Sequence, residues 1–234
     1  MWRMHALATR HALAGTCALA LAPLVGFLVG IAHTYWEISR SIPIITLYLW
    51  SLTFYSLIKS AIPCRGIPRD IHIIDIKDSK EIPLVYNTCN FSKYCHTCNV
   101  WRPHRAAHCS KCNCCFPQCD HHCPWLNNCI HYQNYRYFIT FLLMGNSTML
   151  LLMVLSFLKI HLDGIHSSKW ALANGILISL TWPYMALLLG FHIWLGEKGI
   201  TTREFFAKSP KRSWCLTDAD HGLQNISMQW FHGN

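Results

Sequence analysis

Residues 95–129 read CHTCNVWRPHRAAHCSKCNCCFPQCDHHCPWLNNC, and one spacing occurs in them twice. The first copy is Cys95-x2-Cys98-x9-His108-x6-Cys115; adding 14 to each number gives the second, Cys109-x2-Cys112-x9-His122-x6-Cys129. Each copy supplies three thiolates and one imidazole, the donor set of a closed tetrahedral structural zinc site. Ligands at matched offsets therefore predict two structural zinc ions. Buried or disulfide-bonded cysteines have no reason to repeat in this way, and iron–sulfur clusters take histidine less often. So short a segment has little core of its own, so metal binding is expected to supply much of its folding free energy. Nearby basic residues such as Arg102, Arg105 and Lys111 are placed to offset the negative charge of the thiolates.

Four cysteines of this region stand outside the repeat: Cys89, Cys114, Cys119 and Cys123. A third copy starting at Cys123 would need a cysteine at 126, where Leu126 stands, so Cys123 is left free. It closes the run Asp120-His121-His122-Cys123. His122 is a zinc ligand and its acceptor nitrogen is occupied; His121 is not. A thiolate is the nucleophile, and a free thiol with a pKa of about 8.5 is only slightly ionised at neutral pH. A histidine base raises that fraction, and a carboxylate holds the imidazole in the required tautomer. Asp120, His121 and Cys123 are the residue types of an activated thiol, and metal on both sides would make their geometry rigid.

Outside this region the chain reads as membrane. Of 234 residues, 52% are hydrophobic and only 13% charged, against about 25% charged in soluble domains. Mean hydropathy is +0.21 and there are 10 Trp. Spanning a bilayer takes roughly 20 helical residues, and four stretches qualify: about Ala12–Ile31, Ile42–Ile62, Tyr137–Ile160 and Ala171–Leu195. Lys59 sits where its stem can snorkel, and Pro183 predicts a kink in the fourth stretch. The first has a long apolar core and no small-residue cleavage site after it, so it is read as a span and not a signal peptide. Loop 33–41 holds only Arg40 and loop 161–170 only Lys169, whereas 63–136 holds nine Lys and Arg and the tail after Gly196 five. The positive-inside rule then puts both termini and the large loop in the cytosol. Ten of the 13 Cys lie between Cys89 and Cys129, and keeping them reduced for metal requires the same side. The expected fold class is an all-α polytopic membrane protein, its cytosolic two-zinc Cys/His-rich domain between the second and third transmembrane helices. Its expected parts are 1–62 (N-terminus with two spans), 63–136 (linker and zinc-binding catalytic domain), 137–195 (two spans) and 196–234 (cytosolic tail). The linker 63–91 is read as irregular with a short strand, and Trp214, Trp230 and Phe231 as interfacial anchors in the tail.

With these residues in place, the chain resembles the DHHC protein S-acyltransferases, or palmitoyltransferases. The resemblance rests on the Cys95–Phe138 signature, with Arg102-Pro103, Arg105, His108-Cys109, Asp120-His121-His122-Cys123, Pro124-Trp125, Asn128-Cys129 and Asn134, and on Thr201-Thr202-Arg203-Glu204 after the fourth span. Finer features (Ile67-Pro68-Arg69-Asp70-Ile71-His72, Trp101-Arg102-Pro103, Asn134-Tyr135-Arg136-Tyr137-Phe138 and Thr201-Thr202-Arg203-Glu204-Phe205) are similar to the branch of fungal Ras palmitoyltransferase catalytic subunits. Three departures stand out. The family's Asp-Pro-Gly is replaced by Ile62-Pro63-Cys64-Arg65-Gly66; His131 stands where a glycine is usual; and the tail asparagine motif is only loosely met by Gly222-Leu223-Gln224-Asn225.

The resemblance implies transfer of a long acyl chain from palmitoyl-CoA or another long-chain acyl-CoA to protein cysteines through an acyl-Cys123 intermediate. In it His121 is the base and Asp120 its orienter, and Thr202 and Glu204 pack the tail on the catalytic loop. It also implies an endoplasmic reticulum or Golgi membrane, cysteine-containing protein substrates of the Ras-type lipidated GTPase kind, and an accessory subunit. Trp125 is a candidate for the mouth of an acyl cavity, and Arg136, Arg105 and Lys93 are candidates for the coenzyme A phosphates. The charge of +9 alone fits nucleic acid, anionic lipid or a phosphate-bearing cofactor. Membrane spans and the spare Cys123 argue against an RNA-binding module, and regular short spacing argues against a cross-braced ubiquitin ligase, so no nucleic-acid partner is expected. The remaining alternative is a non-catalytic family member acting as a scaffold or partner subunit.

Overall fold

The computed structural model describes residues 2–63, 66–68, 91–103 and 105–207, with the side chains of 2–11 and 91–93 left aside. The chain divides into two compact units. One, a helical unit, takes in residues up to Ala61, Pro124–Asn127 and Tyr137–Ile193; the other takes in Ile62–Cys123, Asn128–Arg136 and the residues from Trp194 on.

The helical unit is built from α1 (Trp2–Gly30), the short α2 (Ala32–Ile38), α3 (Ser41–Ala61), α4 (Tyr135–Asp163) and α5 (Lys169–Lys198). Among the described residues, four helices are long and apolar enough to cross a membrane: Ala12–Gly30 of α1, then α3, α4 and α5. At 1.5 Å per residue even the 19-residue stretch of α1 covers about 28 Å, the thickness of a hydrocarbon core. The distribution of polarity is the reverse of a soluble bundle. Leu180, Tyr184 and Leu187 face outward at 65%, 76% and 73% exposure, while Thr53, Ser56, Thr148 and Ser156 are buried. Hydrogen bonding between helices has no competitor in hydrocarbon, and small polar residues permit close packing. Thr53 and Thr148 meet at 3.1 Å, the Tyr35 hydroxyl donates to the Leu155 carbonyl at 2.8 Å, and Trp50 Nε1 donates to the Ala20 carbonyl at 3.2 Å. Lys159 is held by Asp163 at 2.6 Å and donates to Thr34 Oγ1 at 2.5 Å. Leu24, Phe27 and Ile31 pack with Leu152, Leu155, Ala171 and Ile178 in the core. Here α1 comes within touching distance of α5, because a Cβ at Gly26 would lie 2.9 Å from Asn174 Oδ1 and one at Gly30 would strike Trp170. Pro183 lies inside α5, which continues through it.

To the expected all-α architecture the other unit adds, among the described residues, six short strands: β1 (Phe91–Cys95), β2 (Val100–Pro103), β3 (Ala107–Cys109), β4 (Cys114–Phe116), β5 (His121–Cys123) and β6 (Asn128–Ile130). They form three separate two-stranded antiparallel hairpins. The registers match: Cys95 pairs with Val100, Cys109 with Cys114 and Cys123 with Asn128 at the three tips. Just before each returning strand an asparagine takes a left-handed φ: Asn99 at 55°, Asn113 at 50° and Asn127 at 49°. Asparagine tolerates that conformation better than other side chains do. Of the linker, Ile67 N–H donates to the Cys115 carbonyl at 2.7 Å. Gly66 has no room for a side chain, since a Cβ would strike Cys114 Sγ and lie 2.6 Å from the Cys115 carbonyl. The glycine that survives from the altered Asp-Pro-Gly motif thus makes a close backbone approach. The rest of the expected linker strand, Cys89, and the tail residues from 208 on, with Trp214, Cys215, Trp230 and Phe231, lie outside the described residues.

Candidate functional site

Hairpin register explains the interleaved repeat. In the second hairpin His108 and Cys115 are cross-strand partners, and in the third His122 and Cys129 are. The tip of one hairpin supplies a Cys-x2-Cys pair, and the stem of the next supplies a cross-strand His and Cys. Cys95, Cys98, His108 and Cys115 gather as one group, and Cys109, Cys112, His122 and Cys129 as another, the donor atoms of each within 4.8 Å of one another. All eight expected ligands are therefore brought together in the expected sets.

The spacing of donors fits a tetrahedral ion. Zinc–sulfur bonds of about 2.3 Å place ligand atoms about 3.5–3.8 Å apart. In the second set, His122 Nδ1 lies 3.6 Å from Cys109 Sγ, 3.4 Å from Cys112 Sγ and 3.7 Å from Cys129 Sγ. In the first, His108 Nδ1 lies 3.3 Å from Cys98 Sγ and 3.8 Å from Cys115 Sγ. Thiols this crowded cannot all ionise on their own. Cys112 is pushed up to about 11, first by its hydrogen bond to Cys109, while Cys109 is driven far down by Cys112 and Cys129. A divalent cation among them would remove that conflict. Each group could hold one metal ion.

Between the ligands stands a second constellation. Asp120, 1% exposed, opens the third hairpin, its N–H donating to the Ile130 carbonyl at 2.8 Å. Its Oδ2 accepts from His121 Nδ1 at 2.6 Å. His121 is also hydrogen-bonded to Cys123. With Nδ1 engaged by the carboxylate, Nε2 is the nitrogen left for the thiol. Cys123 is 6% exposed. All three expected residues meet. Burial opposes a charge on His121, but the Asp120 carboxylate and then the Cys123 thiol outweigh it and push His121 up to about 9. Burial likewise opposes ionisation of Asp120, yet hydrogen bonds from His121 and Thr202 hold it below the usual carboxylate range. An imidazole with raised proton affinity, oriented by an ionised carboxylate, is a competent acceptor for a thiol proton.

Asp120 is held from the other side by α6 (Thr202–Phe206), a single turn after α5. The Thr202 N–H donates to Asp120 Oδ1 at 2.9 Å, the Thr202 hydroxyl to Oδ2 at 2.8 Å, and the Arg203 N–H to the Asp120 carbonyl at 3.1 Å. Thr201 and Glu204 form a capping box, which satisfies two donors that a short helix leaves bare. Glu204 then meets Arg105, which donates from Nε at 2.8 Å and from NH2 at 2.6 Å. This bidentate pair corrects one expectation: Arg105 is spent on Glu204 and on the Gly199 carbonyl at 3.2 Å, and is not a free cation for phosphates. Arg136 is exposed, and of Lys93 only the main chain is described. Trp125, the candidate for a cavity mouth, is 63% exposed.

Two further residues carry the site without having been assigned a role in the sequence. Asn134 accepts from the His131 N–H and donates to the Cys129 carbonyl, each at 2.9 Å, tying the end of the third hairpin to the start of α4. Asn128 Nδ2 donates to the Ile62 carbonyl at 2.9 Å. His131 is not among the residues with positive φ, so its backbone does not need the usual glycine. Its ring is fully buried 4.9 Å from Phe116, and burial lowers it to about 4.

Comparison with known proteins agrees with this geometry. Residues 88–209 match the family model described as DHHC palmitoyltransferase, more than half of the 234 residues. The chain is 35% identical over 211 residues to palmitoyltransferase ERF2 of Saccharomyces cerevisiae, covering 82% of this chain and 58% of the relative. It is 34% identical over 234 residues to palmitoyltransferase erf2 of Emericella nidulans, covering 84% and 38%. With the Kluyveromyces lactis ERF2 it shares 33% identity over 205 residues, covering 80% and 58%. The chain thus spans about 58% or less of the length of these three relatives. The matched region contains both metal-ligand groups, the Asp120–His121–Cys123 relay and α6, and on that match the chain belongs to the DHHC palmitoyltransferase family.

Proposed function

We propose that this chain is a protein S-acyltransferase that moves a long acyl chain, palmitate above all, from acyl-CoA to protein cysteine thiols through Cys123. The observation that carries this reading is the relay from Asp120 through His121 to Cys123, on the one hairpin tip of the three that completes no metal set. In the first step His121 takes the thiol proton, Cys123 Sγ attacks the thioester carbonyl, and the bond from that carbonyl to the coenzyme A sulfur breaks. The departing sulfur receives the proton from His121. In the second step a substrate thiol gives His121 its proton, its sulfur attacks the acyl-Cys123 carbonyl, and Cys123 leaves and is reprotonated. One thioester replaces another, so positioning and proton transfer are what the protein must supply.

Each metal-ligand set takes one structural zinc ion, for two per chain, which would hold the hairpins in register. The hairpins lie in the chain between the second and third spans, on the cytosolic side with both termini, in an endoplasmic reticulum or Golgi membrane. The donor's chain stays in the bilayer, because exposing sixteen carbons to water would cost on the order of 12 kcal/mol. The relatives' name, palmitoyltransferase, supports protein substrates. Substrates of the lipidated Ras-type GTPase kind and an accessory subunit follow from the resemblance of Asn134-Tyr135-Arg136-Tyr137-Phe138 and Thr201-Thr202-Arg203-Glu204-Phe205 to the fungal Ras palmitoyltransferase branch.

The test is incubation of the purified protein with labelled palmitoyl-CoA. Hydroxylamine-sensitive label on wild type, and none on Cys123→Ser, is the expected result. No label on fully zinc-loaded wild type, with or without an accessory subunit, would favour the non-catalytic scaffold.

A further inference from the structure

The turn that follows Cys123 belongs to the helical unit. Pro124–Asn127 forms the tip of the third hairpin and clusters with the spanning helices. It is closed internally, the Asn127 N–H donating to the Pro124 carbonyl at 3.2 Å. Leu126 is buried to 1% exposure. From α1, the Thr16 hydroxyl donates to the Trp125 carbonyl at 2.7 Å. The same hydroxyl reaches the Ala12 carbonyl, one helical turn back, at 3.0 Å.

A hydroxyl has one proton for these two acceptors. When the proton goes to Trp125, α1 holds the main chain two residues beyond the nucleophile. When the turn moves away, the proton falls back to Ala12 and no donor is stranded, so release costs no more than one neutral hydrogen bond and avoids the larger penalty of an orphaned donor. A bond that can be broken without leaving an orphan is suited to a segment that must be fixed at one stage and yield at another.

We propose that Thr16 is a positioning residue for the acyl-transfer reaction, its hydroxyl acting as a releasable latch on the turn that carries Cys123. The proposal rests on the acyl-transfer reading above. The latch does not touch donor or thiol; it acts through the Cys123–Pro124 and Pro124–Trp125 peptides. Its loss should therefore slow acylation at saturating donor and leave the half-saturating donor concentration unchanged.

The experiment compares full-length wild type, Thr16→Val and Thr16→Ser by single-turnover acylation of Cys123 across palmitoyl-CoA concentrations, and by hydrogen exchange of peptides covering 124–127. Thr16→Val keeps the shape and loses the hydroxyl. The expected result is a maximal acylation rate about fivefold lower, the size of one lost neutral hydrogen bond, with unchanged half-saturation and faster exchange at 124–127. Thr16→Ser should restore both. A Thr16→Val protein indistinguishable from wild type in rate and exchange overturns the latch, as does a Thr16→Ser protein as slow as Thr16→Val, which would show that a hydroxyl at this position does not hold the turn. If wild type itself takes up no acyl group, the acyl-transfer reading fails and this proposal with it. The exchange comparison then shows separately whether the hydrogen bond exists.

Discussion

The second and third hairpin tips, Cys109-Ser110-Lys111-Cys112-Asn113 and Cys123-Pro124-Trp125-Leu126-Asn127, are one turn put to two uses. Both start on a cysteine at the same register position and end on an asparagine at φ near 50°. The second tip meets a following stem that offers His122 and Cys129. The third has no such stem: adding 14 once more reaches Leu126, Arg136 and Leu143 where the pattern requires Cys, His and Cys. A thiol held in the same rigid turn but denied a metal remains free to be a nucleophile. Leu126 fills the place of the second thiol with apolar volume and is as buried as Cys98, both at 1% exposure.

The sharpest way to break this comparison is to delete one cysteine from each tip. Cys123→Ser should keep two zinc ions per chain by elemental analysis and lose acylation to background. Cys112→Ser should lose one zinc ion and the cooperative melting of the hairpin unit, taking acylation with it because the fold fails. A Cys123→Ser protein that also sheds zinc would show the third tip to be a metal site after all. Next in size is Asp120→Asn, which leaves the thiol and every ligand in place but removes the charge that raises His121. Acylation should fall by about 10²-fold or more, with zinc content unchanged. Leu126→Cys rebuilds the Cys-x2-Cys pair on the third tip. Its acylation should become sensitive to added zinc and recover with a mild chelator, a response absent from wild type.

The smallest effect concerns α6. Burial opposes charge on Glu204, but the Arg105 guanidinium prevails and holds its carboxyl below the ordinary range. A depressed carboxylate contributes stability above its unfolded pKa of about 4.3 and loses that contribution as pH falls through the lower folded value. Corrected for the intrinsic pH dependence of amide exchange, hydrogen exchange at 199–207 should therefore become faster on acidification below about pH 4. In Glu204→Gln it should already be faster at neutral pH and show little such change.

The two Cys/His clusters and the Asp120–His121–Cys123 trio were legible in the sequence because each is a local pattern, fixed by spacing over a few tens of residues. The four candidate spans were legible because apolar length is itself the signal. Strands of three residues, such as Ala107–Cys109 and Cys114–Phe116, are too short to show the period-2 alternation by which strands are recognised. What holds them is the cross-strand His–Cys pairs and the asparagine turns. Arg105 could not be assigned from sequence for a different reason. Its partner Glu204 lies 99 residues away, and a basic residue among basic residues looks like a phosphate ligand until its carboxylate is seen. The Thr16 contact spans 109 residues to a backbone carbonyl and leaves no trace in side-chain chemistry.

The glycines of α1 have a consequence for assembly. Read alone, Gly26-Phe27-Leu28-Val29-Gly30 is a small-xxx-small handle by which an apolar helix pairs with its twin. In this fold the groove between the two glycines is already filled by Trp170 and Asn174 of the same chain. Self-association through that face would have to evict α5, so any homodimer this protein forms should be sought on another helix.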